Sequence, residues 1–140
     1  MRFMIIVKAT EDTEAGVMPT DKLAHDMAAY MEELSKAGVL LDGMGLQPSK
    51  SGWRVTYSNG KRTGVIDGPF TEAKELIAGV TLIQVKSREE ALEWSKRMPA
   101  PDGGLGACEI EVRQVYELEE IIPDASAADR FRKIGIGTDR

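Results

Sequence analysis

The spacing of apolar residues divides the chain into short strands and two longer helices. From Phe3 to Lys8 the residues are β-branched or aromatic on both faces, as in a central strand. From Thr20 to Gly38 they recur at helical spacing, which predicts one amphipathic helix. Thr20 is placed to cap its first turn and Gly38 to end its last. Its apolar stripe consists of Leu23, Met27, Tyr30, Met31 and Leu34.

Beyond Val39–Leu41, which opens a second strand, the pattern alternates. Trp53, Val55 and Tyr57 alternate with polar residues, which predicts a half-buried strand whose aromatic rings pack in the core or an interface, or else stack on a ligand. Asn59-Gly60 follows, and both positions of a type I′ turn require positive φ. We therefore predict a hairpin that returns along residues 62–66 to an Asp-Gly-Pro-Phe turn at 67–70.

The second half of the chain repeats the strand–helix–strand order. After a short helical stretch over residues 71–76, residues 80–86 form a predicted strand. Ser87 and Glu90 form a predicted capping box for a helix that ends before Pro99. Residues 109–118 are the last predicted strand. We expect one domain over residues 1–120, followed by a polar tail, 121–140, with room for a short helix near residues 127–134.

This order predicts an α+β fold of the ferredoxin-like split βαβ type. Its antiparallel sheet carries a hairpin insertion and has both helices on one face. The sheet is apolar on both faces, because Phe3, Ile5 and Val7 alternate with other apolar residues and Val80 and Leu82 add to the second face. An apolar face without helices favours a partner, so we predict a homodimer built on sheet-to-sheet contact.

Composition excludes several classes of function. The net charge is −5 and the basic residues are scattered, which argues against direct nucleic-acid binding. No apolar run is long enough for a bilayer, and the single Cys108 fits a reducing, cytoplasmic location. One histidine and one cysteine disfavour a transition-metal site. The Gly-rich segment at 103–106 precedes a strand instead of a helix, so we predict no nucleotide motif there and no cofactor.

His25 and Asp67 are the first residues to consider for chemistry. His25 lies opposite the apolar stripe of its helix, which predicts a solvated side chain without a catalytic role. Asp67 has two readings in its Asp-Gly-Pro-Phe turn. Its carboxylate either bonds the backbone of the turn, or faces a cavity as an acid or base and a ligand contact.

Three segments carry a family likeness: Ala37–Gly43, Asp67–Glu75 and Glu109–Arg113. They resemble the Asp-Gly-Pro-Phe (DGPF) branch of the YCII-related family over roughly residues 1–118. The resemblance implies a ferredoxin-like dimer whose sheets face each other as an α/β barrel. In the wider family it implies a site centred on His and Asp, but this chain has Met31 where relatives often carry a histidine. Some relatives are encoded beside, or fused to, sigma factors.

In such a dimer the second face of the last strand lines a cavity. Ile110 and Val112 should meet the helices, which leaves Glu111 and Arg113 on the cavity side. An enclosed arginine either holds an anionic ligand or forms a structural ion pair. We therefore expect a small-molecule-binding homodimer that uses Arg113, Glu111 and Asp67. The alternatives are a small-molecule enzyme with Asp67 as acid or base, and an interaction module linked to transcription.

Overall fold

The computed structural model describes residues 1–137 of the chain. Its strands are β1 (Arg2–Lys8), β2 (Leu40–Gly45), β3 (Trp53–Ser58), β4 (Lys61–Asp67), β5 (Ile77–Gln84) and β6 (Ile110–Gln114). Its helices are α1 (Glu11–Glu14), α2 (Asp21–Lys36), α3 (Arg88–Lys96), α4 (Leu118–Ile121) and α5 (Ala125–Lys133). In this part of the chain no helix is long and apolar enough to cross a membrane.

Four strands form one sheet in the order β2-β5-β1-β6, with all neighbours antiparallel. Helix α2 connects β1 to β2, and α3 connects β5 to β6. This is the order of a ferredoxin-like split βαβ fold, so the predicted α+β class is confirmed. The hairpin β3–β4 forms a separate two-stranded sheet, inserted between β2 and β5.

Both helices pack on the same face of the sheet, as predicted. The core they enclose has Ile5, Leu34 and Ile83 fully buried at its centre, one from each of β1, α2 and β5. Phe3, Tyr30 and other apolar side chains close around them. The remaining members are Val39, Val85 and Ala91, with Met27, Met31, Leu40, Trp94, Met98, Ile110 and Val112 packed against them.

Local hydrogen bonds explain where the two long helices begin. The Thr20 hydroxyl accepts the Leu23 N–H at 3.2 Å, and the Ser87 hydroxyl accepts the Glu90 N–H at 3.1 Å. The predicted capping box is only half right. The Glu90 carboxylate accepts the N–H of Lys86 at 2.9 Å, one residue before the cap, so the two bonds are not reciprocal.

Several predicted boundaries were wrong. The stretch over residues 71–76 holds only a three-residue 3₁₀ turn, Ala73–Glu75, after Glu72 at a φ of 63°. The next strand is Ile77–Gln84, where 80–86 was predicted, because its start is bonded to the ends of β1 and β2. The last strand is Ile110–Gln114, where 109–118 was predicted, and Leu118 is the first residue of α4.

The aromatic hairpin was predicted to be half-buried, and this is wrong for the single chain. Trp53 and Tyr57 are 65% and 70% exposed. The ribbon has its own two-stranded sheet, so the rings meet none of the core. The predicted turn is confirmed, with φ of 51° at Asn59 and 78° at Gly60.

The C-terminal segment contains a helix where a short one was expected. That helix, α5, begins at Ala125 and ends at Lys133, and its Ala128 is buried, as is Leu118 of α4. Arg2 of β1 donates a hydrogen bond to the Tyr116 carbonyl at 3.3 Å, which joins the start of this segment to the sheet. Residues 138–140 of the predicted tail lie outside the described residues.

Tyr30 makes the stability of the core depend on pH. Its buried hydroxyl donates to the Trp94 carbonyl at 2.7 Å, and burial raises the pKa of Tyr30 to about 12. The neutral phenol is favoured in the folded state, so its stabilisation is present below pH 10 and lost as the pH rises towards 12. We expect wild type to lose on the order of 2 kcal/mol more than Tyr30→Phe across that range in urea unfolding. Parallel pH profiles of the two proteins would contradict this.

Candidate ligand-binding face

The sheet face turned away from the helices holds most of the candidate residues. Residues directly opposite each other in antiparallel strands share a face. Met4 lies opposite Leu82 and Arg113, and Ile6 lies opposite Val80 and Glu111. We call this set the open face; its members are Met4, Ile6, Val80, Leu82, Glu111 and Arg113, with Asp42 and Met44 of β2 beside them.

Arg113 and Glu111 form an ion pair on the open face. Their closest charged atoms, Arg113 Nη1 and Glu111 Oε2, lie 3.7 Å apart, and the side chains are 72% and 42% exposed. Ile110 and Val112 pack against the core, which is the alternation that the sequence predicted. In the single chain the pair is weak because water screens it. Its guanidinium therefore keeps most of its hydrogen-bonding capacity for another group.

Asp67 lies elsewhere, at the end of β4. It is exposed and sits directly across the ribbon from Trp53. Over residues 1–137 no hydrogen bond or ion pair joins its carboxylate to the turn backbone or to Arg113. Arg113 is on the edge strand β6, opposite Met4, which is about 13 Å along β1 from the Lys8 end. The single chain does not bring the predicted site residues together.

A hydrogen-bonded clamp holds the Asp-Gly-Pro-Phe turn. The Glu14 carboxylate accepts the Ser49 N–H at 3.0 Å and the Ser49 hydroxyl, and the same hydroxyl oxygen accepts the Phe70 N–H at 3.0 Å. The guanidinium of Arg54 stacks 3.9 Å over the Phe70 ring. Sequence reasoning missed Glu14 and Ser49, since 35 residues separate them and no motif links them.

Gly68 is required in this clamp by close approach of the backbone. A Cβ at Gly68 would lie 1.8 Å from the carbonyl oxygen of Ser49. The Gly68 N–H donates to the Gly52 carbonyl at 2.9 Å, which ties together the two ends of the hairpin insertion. These backbone contacts therefore fix the direction in which the hairpin leaves the rest of the domain.

The other chemical candidates lie away from the open face. His25 is exposed on α2, as its helical position predicted. Cys108 is partly buried, and burial raises the pKa of its thiol, which disfavours the reactive thiolate.

Two surface depressions of about 220 and 430 Å³ lie on the helix side. They share Asp26 and Pro99, and neither includes Asp67, Glu111 or Arg113.

The strand order and the two helices on one face of the sheet place the protein among ferredoxin-like α+β domains. The chain belongs to the YCII-related domain family, whose model matches residues 1–119. An uncharacterized protein of Rhizobium meliloti (strain 1021), R00369, is 29% identical over 101 residues, which cover 72% of this chain and 81% of that protein. Among solved structures, 5-chloro-2-hydroxyhydroquinone dehydrochlorinase from Burkholderia phenoliruptrix AC1100, in complex with 2,5-dihydroxybenzoquinone, is similar. Its TM-score is 0.47 and its identity 16%, over 84% of this chain and 95% of that one.

Proposed function

We propose that this protein is a cytoplasmic homodimer that binds a small anionic molecule between two open faces. The observation that carries the proposal is the Arg113–Glu111 pair on the sheet face opposite the core that α2 and α3 cover. Arg113 is the main contact of the anion, Glu111 is its resting partner, and Asp67 contributes a carboxylate at the edge of the cavity.

The apolar part of the open face favours the dimer. Met4, Ile6, Val80 and Leu82 form a continuous patch across β1 and β5. Burial of apolar surface contributes roughly 25 cal/mol per Å², so two such faces stabilise each other when they pack together. The free Cys108 is consistent with the reducing cytoplasm.

Enclosure of Arg113 turns a weak surface pair into a binding group. Removal of water lowers the local dielectric, so a guanidinium without a good partner becomes costly. The planar fork of Arg113 can bind a carboxylate or phosphate through two parallel hydrogen bonds. Glu111 at 3.7 Å is close enough to neutralise the empty site, and distant enough to be displaced.

Replacement of Arg113 by lysine tests the binding role. A thermal-shift screen against small carboxylates and phosphates should find anions that raise the melting temperature of the wild type. Arg113→Lys keeps the charge but loses the fork, so we expect affinity for those anions to fall about tenfold or more with little change in stability. Arg88→Lys, at the exposed start of α3, is the matched control. The proposal would be contradicted if Arg113→Lys bound these anions as tightly as Arg88→Lys does. It would also be contradicted if no anion stabilised the wild type.

A small-molecule enzyme with Asp67 as acid or base is the second candidate. It is favoured by the position of an exposed carboxylate directly opposite the exposed ring of Trp53, which offers a stacking surface beside a proton carrier. The same screen separates the two candidates, because mass spectrometry of each stabilising compound shows whether the protein consumes it. Consumption that persists in Asp67→Asn would exclude Asp67 from the chemistry.

A further inference from the structure

One side of the β3–β4 hairpin is mostly apolar and faces solvent. Cross-strand pairing joins Val55 to Val65 and Trp53 to Asp67, and strand alternation adds Tyr57, which pairs with Arg62 near the Asn59-Gly60 turn. We call these six residues the arm face; its Arg62 lies at the opposite end of β4 from Asp67. The four apolar members are all exposed in the protomer, and Asp67 lies among them.

The β3–β4 hairpin, which we call the arm, would be stabilised if its exposed apolar side packed against another surface. A two-stranded ribbon is marginally stable on its own in water. Two aromatic rings that are two-thirds exposed offer on the order of 250 Å² for burial. Two arms and the surfaces that receive them therefore approach the roughly 1,200 Å² of the smallest stable interfaces.

The distribution of charge favours a second copy of this chain as the occupant. Residues 53–67 hold three basic residues and one acidic residue, a net charge of +2. The chain as a whole carries −5, so its other residues carry −7. A basic arm on an acidic body is attracted to another acidic body of the same kind.

We propose that the arm face of each protomer packs on its partner and that Asp67 pairs with Arg113 of the partner subunit. This rests on the proposed dimer of open faces and deepens it, because each anion site then contains residues of both chains. In the empty site both Glu111 and Asp67 of the partner subunit then face the guanidinium, and an incoming anion replaces them, so binding of the ligand and release of the arm are coupled.

The need for a cation follows from the composition of the arm face. When its apolar residues become buried, Asp67 loses water and requires an opposite charge. Arg113 is 72% exposed and has only a 3.7 Å contact with Glu111, so it has capacity for a second carboxylate. Lys8, the last residue of β1, offers a point charge instead of a fork.

Cross-linking between differently marked chains tests this arrangement. In a Cys108→Ser background, chains with Asp67→Cys are mixed with tagged chains carrying Arg113→Cys and treated with a short bis-maleimide. We expect a covalent pair of one tagged and one untagged chain, several-fold more abundant than with the exposed control Ser35→Cys on α2. Yields no higher than the Ser35→Cys control would overturn the inference, as would a higher yield with Lys8→Cys.

Sedimentation separates this inference from the proposed function. The double variant Trp53→Ser, Tyr57→Ser should weaken the dimer about tenfold or more, whereas Leu105→Ser, an equally exposed apolar residue outside the arm, should leave it unchanged. If the dimer is lost in Ile6→Glu but intact in the Trp53→Ser, Tyr57→Ser variant, the open-face dimer is supported and the arm contact is rejected. A wild type that is monomeric at micromolar concentration rejects both.

Discussion

Gly68→Ala is expected to remove about 3 kcal/mol or more of the free energy of unfolding. The added Cβ would meet backbone atoms of a second 3₁₀ turn, Ser49–Ser51, at 1.8 Å from the Ser49 oxygen and 2.6 Å from its carbonyl carbon. Main-chain atoms cannot move aside as a flexible side chain does. The clamp between Glu14, Ser49 and Phe70 must therefore open, with the loss of its hydrogen bonds.

Urea unfolding measures this loss, and Gly106→Ala is the matched control. A Cβ at Gly106 meets nothing within 4 Å, and its φ lies outside the left-handed region. The control should change stability by no more than about 0.5 kcal/mol. Similar losses in the two variants would show that the 67–70 turn is not held against residues 49–50.

Ile5→Ala should lower the free energy of unfolding by about 2–5 kcal/mol. Ile6→Ala should lower it much less in the monomer. Ile5 is fully buried between the sheet and the helices, and its truncation leaves a cavity in the core. Ile6 points to the open face and is only partly covered within one protomer. Its truncation should weaken the proposed dimer, because it removes apolar surface from the proposed contact between two sheets.

The pair of variants separates folding from association. Denaturant unfolding at high dilution reports the loss at Ile5, and sedimentation across a concentration series reports the loss at Ile6. A stability loss at Ile6 equal to that at Ile5 in dilute solution would mean that the open face is covered within the protomer. An unchanged dissociation constant in Ile6→Ala would argue against sheet-to-sheet contact.

Patterns with a strong local cause were predicted well from the sequence. The stripe from Leu23 to Leu34 and the Asn59-Gly60 turn follow from helical spacing and positive φ, which neighbouring residues decide. The placement of Arg113 away from the helices also followed from strand alternation. The end of β6 did not, because it depends on contacts between the segment near residue 116 and Arg2, more than a hundred residues apart.

The candidate site was harder to predict, since it depends on which surfaces meet. Alternation correctly placed Glu111 and Arg113 on one face, but it carries no information on the distance between Asp67 and Arg113. The exposure of Trp53 could not be predicted either. Period-two spacing shows which residues share a face of a strand, but not whether anything covers that face. The roles of Asp67, Glu111 and Arg113 in binding stay predictions.

The bond between Gly68 and Gly52 has a consequence for how this domain can diversify. The hairpin leaves and re-enters the chain at two adjacent backbone positions, and its residues are absent from the core. Its length and composition can therefore change without disturbance of the four-stranded sheet, provided that the turn at 67–70 is kept. The Asp-Gly-Pro-Phe motif thus marks the attachment point of a hairpin whose sequence can vary independently of the folding of the sheet.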